Sequence, residues 1–312
     1  MKKKLLLILA FIGYFSSCVL IEEPSIEQEE VEIIVPRDSL RTEVSSQLFY
    51  WEALPDAINY ELQLVAPSFD RIDRFLLDTT INTDKFEYVL SPGTYQWRVR
   101  ALNASSATPF TYHYLFVDST FNLGAQRLLL ESPSDRDTTA SDSILFSWLP
   151  LYSATDYEIE LWQAEVGQVR VFNQTTFTTS ITHVLSNEGA YEWRARARNS
   201  AGESAYESQT FFIDQTAPAA PILGLPLSNV SLNADTLSFS WLRSADAGSS
   251  ITDTLIIATD PDFSQGVLRF ETNSNPFEVS GLPIGEYYWR VRAGDKAGNA
   301  SSFSNTRFFN AQ

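Results

Sequence analysis

The sequence predicts an all-β protein made of three tandem β-sandwiches, and three observations carry that prediction. One nine-residue segment occurs three times, as GTYQWRVRA from Gly93, GAYEWRARA from Gly189 and GEYYWRVRA from Gly285, 96 residues apart. Through these segments and their neighbours apolar and polar residues alternate with a period of two, which puts every second side chain on one face of a sheet. No helical period runs over a comparable length of the 312 residues, and a repeat of this size is that of one seven-stranded sandwich.

The chain opens with Lys2, Lys3 and Lys4, an apolar run from Leu5 to Phe15, then Ser16, Ser17 and Cys18. This is the anatomy of a secretory signal peptide, residues 1–17. The apolar run rises only about 16 Å as a helix, short of the roughly 30 Å of a bilayer core. Cys18 is the sole cysteine. The stretch resembles the lipobox of bacterial lipoproteins, with Phe15 in place of the usual Leu, and the resemblance implies lipidation of Cys18. Residues 18–32 then carry Glu22, Glu23, Glu27, Glu29, Glu30 and Glu32 with no basic residue, and are expected to form an extended acidic linker. Acidic residues so close behind Cys18 also resemble signals that export lipoproteins to the outer face of the outer membrane in diderm bacteria; the alternative is a solvated spacer facing the periplasm.

Each repeat has three recognisable parts. A β-type run ends in a first tryptophan (Trp51, Trp148, Trp241), the repeated segment holds a second (Trp97, Trp193, Trp289), and an aromatic strand closes the unit at YLFVD, TFFID and RFFN. In the first repeat Tyr95, Trp97, Val99 and Ala101 share the core face and Arg98 and Arg100 the other; Tyr60, Leu62 and Leu64 alternate with Glu61 and Gln63 in the same way. The expected domains are residues 33–118, 127–214 and 218–312, joined by the Gly-containing DSTFNLGAQR and by DQTAPAAPI, where Pro218 and Pro221 favour extended backbone.

On the first tryptophans and the Y-x-W-R-x-R-A strand, each unit resembles a fibronectin type III or related immunoglobulin-like domain. Leu90, Pro92 and Tyr95, and Leu282, Pro283 and Tyr287, resemble the segment that forms that family's tyrosine corner. The second unit keeps Leu185 and Tyr191 but has Asn187 and Glu188 where the proline falls. The third has Asp253 where the others have Tyr60 and Tyr157. The resemblance implies a sandwich architecture and no catalytic residues.

With no cysteine inside the sandwiches, packing must hold the sheets together. Trp51, Tyr95, Trp97, Trp148, Tyr191, Trp193, Trp241, Tyr287 and Trp289 are the expected structural core. Glu158 and Glu160 should lie across from Arg194 and Arg196 as exposed pairs, each adding about 0–1 kcal/mol. An anion-binding role for these arginines is the weaker reading in so acidic a chain.

Composition narrows the function. Lys and Arg number 22 against 39 Asp and Glu, a net charge of −17, so nucleic acid is not an expected partner. Two histidines in different units, one cysteine and no P-loop, GxSxG, HExxH or dinucleotide fingerprint give no basis for an enzyme, a cofactor or a metal site. The loops DPDFS (Asp260–Ser264) and GDKAGNAS (Gly294–Ser301) read as Asp/Asn turns rather than calcium loops. Two features remain for interaction. Alternation points Trp162 outward beside Glu160, a candidate ligand contact. Asp-Ser/Thr followed by an aliphatic residue or Thr recurs at Ser39, Thr79, Ser119, Thr138, Ser143, Thr236 and Thr254, resembling an O-glycosylation acceptor motif of some bacterial envelope proteins. The function expected is therefore a non-enzymatic, lipid-anchored envelope protein, a cell-surface adhesion, scaffold or protein-binding module. The alternative is a glycan-binding accessory lipoprotein of a polysaccharide-uptake system.

Overall fold

A computed structural model describes residues 24–163, 168–243 and 250–312. Among them every regular element is a strand except one three-residue 3-10 turn, Leu123–Ala125, and no helix is long and apolar enough to cross a membrane. The chain divides into two compact units. One holds Gln47–Tyr88, Gly93–Asp118 and the chain up to Thr42; the other holds Glu43–Ser46, Val89–Pro92 and Ser119–Gln312.

In the first repeat the strand Ser46–Trp51 is the centre of a three-stranded sheet between Ile33–Val35 and Lys85–Val89. The opposing five-stranded sheet runs Leu40–Thr42, Thr111–Val117, Gly93–Leu102, Asn59–Ser68, Arg71–Ile81. The second repeat reproduces it: Ser143–Trp148 lies between Leu130–Ser132 and Ser180–Val184, opposite Asp137–Thr139, Glu207–Ile213, Gly189–Asn199, Asp156–Gln163 and Val169–Thr176, with a sixth short strand, Gly202–Glu203, paired to the end of Gly189–Asn199. The third keeps the five-stranded sheet, Val230–Leu232, Arg307–Ala311, Gly285–Asp295, Ile251–Ala258, Leu268–Thr272. Its tryptophan strand is broken at Ser240 into Thr236–Phe239 and Trp241–Leu242, which pair with Phe277–Ser280 and Ile222–Leu223 respectively. The break has a local cause. The Ser240 hydroxyl accepts from Leu225 N at 2.8 Å and Asn275 Oδ1 accepts from Trp241 N at 3.2 Å, so side chains replace ladder bonds there.

A second feature escapes the alternation pattern. In every repeat the first strand switches sheets, and its second half pairs in parallel with the closing strand, as Leu40↔Leu115, Asp137↔Phe211 and Val230↔Phe309. The switch is a residue in the left-handed region: Ser39 (φ 58°), Arg136 (φ 61°) and Asn229 (φ 61°). None is glycine, so the switch residues themselves do not announce the kink; the recurring sign is a proline three residues before each, Pro36, Pro133 and Pro226.

The inward residues form aromatic cores. Trp51, Trp97, Trp148, Trp193 and Trp289 are fully buried and Trp241 is 3% exposed. The second tryptophan meets a phenylalanine edge-on in each repeat, Phe49–Trp97 at 4.8 Å, Phe146–Trp193 at 5.2 Å and Phe239–Trp289 at 5.1 Å, an arrangement that suits the ring quadrupoles. The hydroxyl of Tyr191 donates to Asn187 O at 2.8 Å and that of Tyr287 to Pro283 O at 3.0 Å. The corner thus forms in the second repeat without its proline, because the acceptor is a main-chain carbonyl that any residue supplies.

Residues 24–32 correct the expectation of an extended linker, since Ile26 and Val31 are 2% and 0% exposed. Ile26 N donates to Ser106 Oγ at 3.0 Å, Asn103 Nδ2 to Pro24 O at 2.9 Å, and Glu52 N to Glu32 O at 2.9 Å. Two apolar side chains set among the glutamates anchor this segment while Glu27, Glu29, Glu30 and Glu32 stay exposed. Inside the second unit a corresponding asparagine, Asn199, donates to Phe121 O at 3.0 Å, and Asn299 donates to Asp214 O at 2.7 Å. The GDKAGNAS loop also meets the second sandwich through Ala140 N to Ala297 O at 3.1 Å. Its Asp295 carboxylate accepts from Asn299 N and Nδ2, both at 2.8 Å, and is spent on the turn.

Candidate binding face

The outward residues of the repeated strand are arginines, and the fold inserts aromatic rings between them. Arg98 lies 4.1 Å from the ring centroids of both Phe69 and Phe110. Arg194 lies 4.9 Å from Trp162 and 4.5 Å from Tyr206. Arg290 lies 3.9 Å from both Phe263 and Phe303. The second arginine stacks on the same downstream ring in each case, Arg100 on Phe110, Arg196 on Tyr206 and Arg292 on Phe303. One ring comes from the hairpin or strand end after the partner strand, the other from the segment before the closing strand. The result is a ladder of guanidinium and aromatic planes, each contact adding about 0.5–2 kcal/mol, over the outer face of the larger sheet of each repeat.

Counter-charges distinguish the three ladders. In the first, Arg100 Nε donates to Glu61 at 2.7 Å and Arg98 Nε to Gln63 at 2.8 Å. In the second, the register sets Glu158 opposite Arg196 and Glu160 opposite Arg194. Glu160 binds Arg194 (2.5 Å), Arg170 (2.9 Å) and the Trp162 indole N–H (3.2 Å); Glu158 binds Arg196 at 2.7 Å. Arg196 also pairs with Glu203. These carboxylates are not the exposed pairs expected, for Glu160 is 4% exposed beneath its arginines and Trp162. Burial pushes Glu160 up, but the hydrogen bonds from Arg194, Arg170 and Trp162 outweigh it and hold its carboxyl below the usual range; Glu158, bonded by Arg196, shifts the same way. Tyr206, desolvated and bonded to Glu158, is pushed up to about 12.

The third ladder has Ile256 opposite Arg290 and Thr254 opposite Arg292. Its buried charge lies on the other face: Asp253, fully buried, accepts from the Trp241 indole at 2.6 Å and pairs with Arg243 at 2.6 Å. In the first two repeats that place is filled by Tyr60 and Tyr157, whose hydroxyls accept from Leu54 N and Leu151 N.

The residues singled out from sequence fall as follows. Cys18 and the signal peptide lie outside the described residues. Trp162 stands on the outer face, half-buried, with one side of its ring against Arg194. Ser39, Ser119, Ser143 and Thr236 are exposed, and Thr79, Thr138 and Thr254 are half-buried. They are spread over strands and turns and form no cluster. Asp260 caps its own turn, accepting from Gln265 N at 2.7 Å and Ser264 N at 3.0 Å. His113 contacts Pro36 O through Nδ1 at 3.0 Å, and the His183 ring lies against Phe172, tilted by 30° with centroids 4.0 Å apart. Among the described residues no group of three or more His, Cys, Asp or Glu is placed to hold a metal. Phe69, Phe110, Tyr206, Phe263 and Phe303 escape the sequence reading. The available signal was that Phe110, Tyr206 and Phe303 recur at nearly the same 96-residue interval as the arginine strands.

The class these sheets and ladders define is an all-β protein of repeated sandwiches. No family model matches the chain. Human fibronectin type III domain-containing protein 7 is 25% identical over 320 residues, covering 95% of this chain and 37% of the human protein. Endoglucanase B of Cellulomonas fimi is 32% identical over 143 residues, 43% of this chain and 13% of the enzyme. The chain thus spans little more than a third of the first relative and far less of the second. Among solved structures, the chicken CNTN1 FN1-FN3 domains cover 91% of this chain and 97% of theirs at 17% identity and a TM-score of 0.43. The chain is an all-β protein resembling fibronectin type III domains.

Proposed function

We propose that the chain is a non-enzymatic binding-module protein, anchored by lipid at Cys18 to the outer membrane of a diderm bacterium, facing the cell surface and acting in adhesion or as a scaffold. The observation that carries the binding reading is that one platform, arginines interleaved with aromatic rings, is built three times with a different charge each time. Such variation on a fixed frame is how repeated sandwiches acquire separate partners, since function resides in the site rather than the fold. The anchoring half rests on the leader and on the acidic residues behind Cys18. Metabolic labelling with a fatty-acid analogue tests it: label lost in Cys18→Ala supports the anchor, and unchanged label removes it. Crosslinking on intact cells, with recovery of an envelope or extracellular protein, tests the scaffold role.

A second reading has its own support. The segment of 143 residues shared with an endoglucanase and the indole of Trp162 favour a glycan-binding accessory lipoprotein of a polysaccharide-uptake system. Retention of the protein on an insoluble polysaccharide, lost in Trp162→Ala with the fold intact, distinguishes it from the scaffold. The seven Asp-Ser/Thr hydroxyls, none of them buried, are proposed O-glycan acceptors; a native intact mass equal to peptide plus lipid contradicts that assignment.

A further inference from the structure

The three ladders share rings and arginines but not counter-charges, and the third leaves its arginines uncompensated. Arg98 and Arg194 give their Nε protons to the residues opposite, Gln63 and Glu160. The Nε of Arg290, opposite Ile256, is buried with no acceptor. Arg269 is in register with the same Ile256 from the other side and is exposed. Arg269, Arg290 and Arg292 therefore lie on one face, and among the described residues none of them forms an ion pair with a carboxylate; Glu271, in register with Thr254, is on this face but does not bridge to Arg292. Burial and the charge of Arg269 lower the Arg290 guanidinium from its usual value, the direction expected of a cation without a counter-ion.

The geometry also restricts what can approach. Phe263 and Phe303 each approach the Arg290 guanidinium to 3.9 Å, so aromatic stacking on it is already supplied from within the chain and what it lacks is an acceptor for its N–H groups, which a two-oxygen carboxylate suits. Phe263 is held there at φ 58°, a region bulky residues rarely adopt, by the Asp260-capped turn.

We propose that this face of the third sandwich binds an extended acidic peptide segment in which alternate residues are Glu or Asp. The second sandwich displays the same recognition within the chain, where Glu158 and Glu160, two apart on one strand, meet Arg196 and Arg194. Glu158 and Glu160 do so from the neighbouring strand; in the third sandwich that place is taken by Ile251–Ala258, so the peptide lies over the face, where alternate side chains of an extended strand, about 6.4–6.8 Å apart on both partners, bring its carboxylates to the spacing of Arg290 and Arg292. The inference deepens the binding-module reading, whereas the Cys18 label tests the anchor separately.

The test uses the full mature chain, at low salt, with a fluorescent peptide of alternating Glu and Thr, the matched Gln–Thr peptide, and an oligogalacturonate as a carboxylate-bearing glycan. Binding of the Glu–Thr peptide alone is expected. Arg269→Gln, at an exposed position, should weaken it about tenfold. Ile256→Glu, which supplies the missing carboxylate opposite Arg290, should abolish it with the melting midpoint retained. Should Ile256→Glu fail to fold, Arg269→Gln decides. Equal binding of the Gln–Thr peptide, retention of the oligogalacturonate but not the peptide, no binding at all, or an affinity unchanged in Arg269→Gln each overturns the proposal.

Discussion

The second and third sandwiches stand on one frame and solve the same charge problem in opposite places. In the second, the core position is a tyrosine, Tyr157, packed 5.5 Å from Trp148, and the carboxylates lie on the outer face beneath the arginines. In the third, the core position is a carboxylate, Asp253, and the outer face has lost its own. Asp253 is tolerated because Arg243 and the Trp241 indole came with it; a buried carboxylate without them would cost several kcal/mol. Ile256 arrived with no such partner, and Arg290 is left to look outside the chain. A substitution inside a shared frame stays silent when its partner changes with it, and leaves a charge unpaired when it does not.

The largest test of the shared frame is removal of its indoles. Trp193→Ala and Trp289→Ala should each cost about 4 kcal/mol in urea unfolding, and a loss under about 1 kcal/mol in either would mean that the two cores are not equivalent. Next comes the core position itself. Arg243→Ala strands the buried Asp253 carboxylate and should cost about 3 kcal/mol, whereas Tyr157→Phe leaves only the Leu151 N–H without its acceptor and should cost about 1 kcal/mol. Equal costs would erase the distinction between the two solutions.

Acid should separate the outer faces. Glu158 and Glu160 are held below their ordinary value of 4.5, so their contribution is present above that pH and is lost as pH falls through the folded values. The urea midpoint should therefore drop below pH 4.5, less steeply in Glu160→Gln, while Thr254→Val on the third face leaves the acid limb unchanged. The smallest effect is alkaline. Because Tyr206 is raised from 10.0 to about 12, its contribution is complete below pH 10 and fades between pH 10 and about 12. Tyr206→Phe should flatten that limb.

The repeat and its period-two alternation determined the strands, the inward tryptophans and tyrosines, and the outward arginines, because side-chain direction in a strand follows from position alone. That Glu158 and Glu160 lie across from Arg194 and Arg196 was legible only because the family resemblance made the two strands neighbours; the register fixed which met which. Tertiary structure decided what alternation cannot encode. Burial of Glu160 depends on groups arriving from other strands, Arg170 and Arg194 with the Tyr206 ring against it, that close over it beside Trp162. The sheet switch at Ser39, Arg136 and Asn229 depends on a backbone angle that three unrelated residues adopt. Docking of residues 24–32 depends on Ile26 and Val31, two side chains that a count of glutamates hides. The asymmetry at Arg290 needed both levels: the sequence supplied Ile256 where Glu160 has its counterpart, and only the register of three adjacent strands set it between Arg269 and Arg290, since a cation's counter-charge is defined by what lies across the sheet and not by what precedes it in the chain.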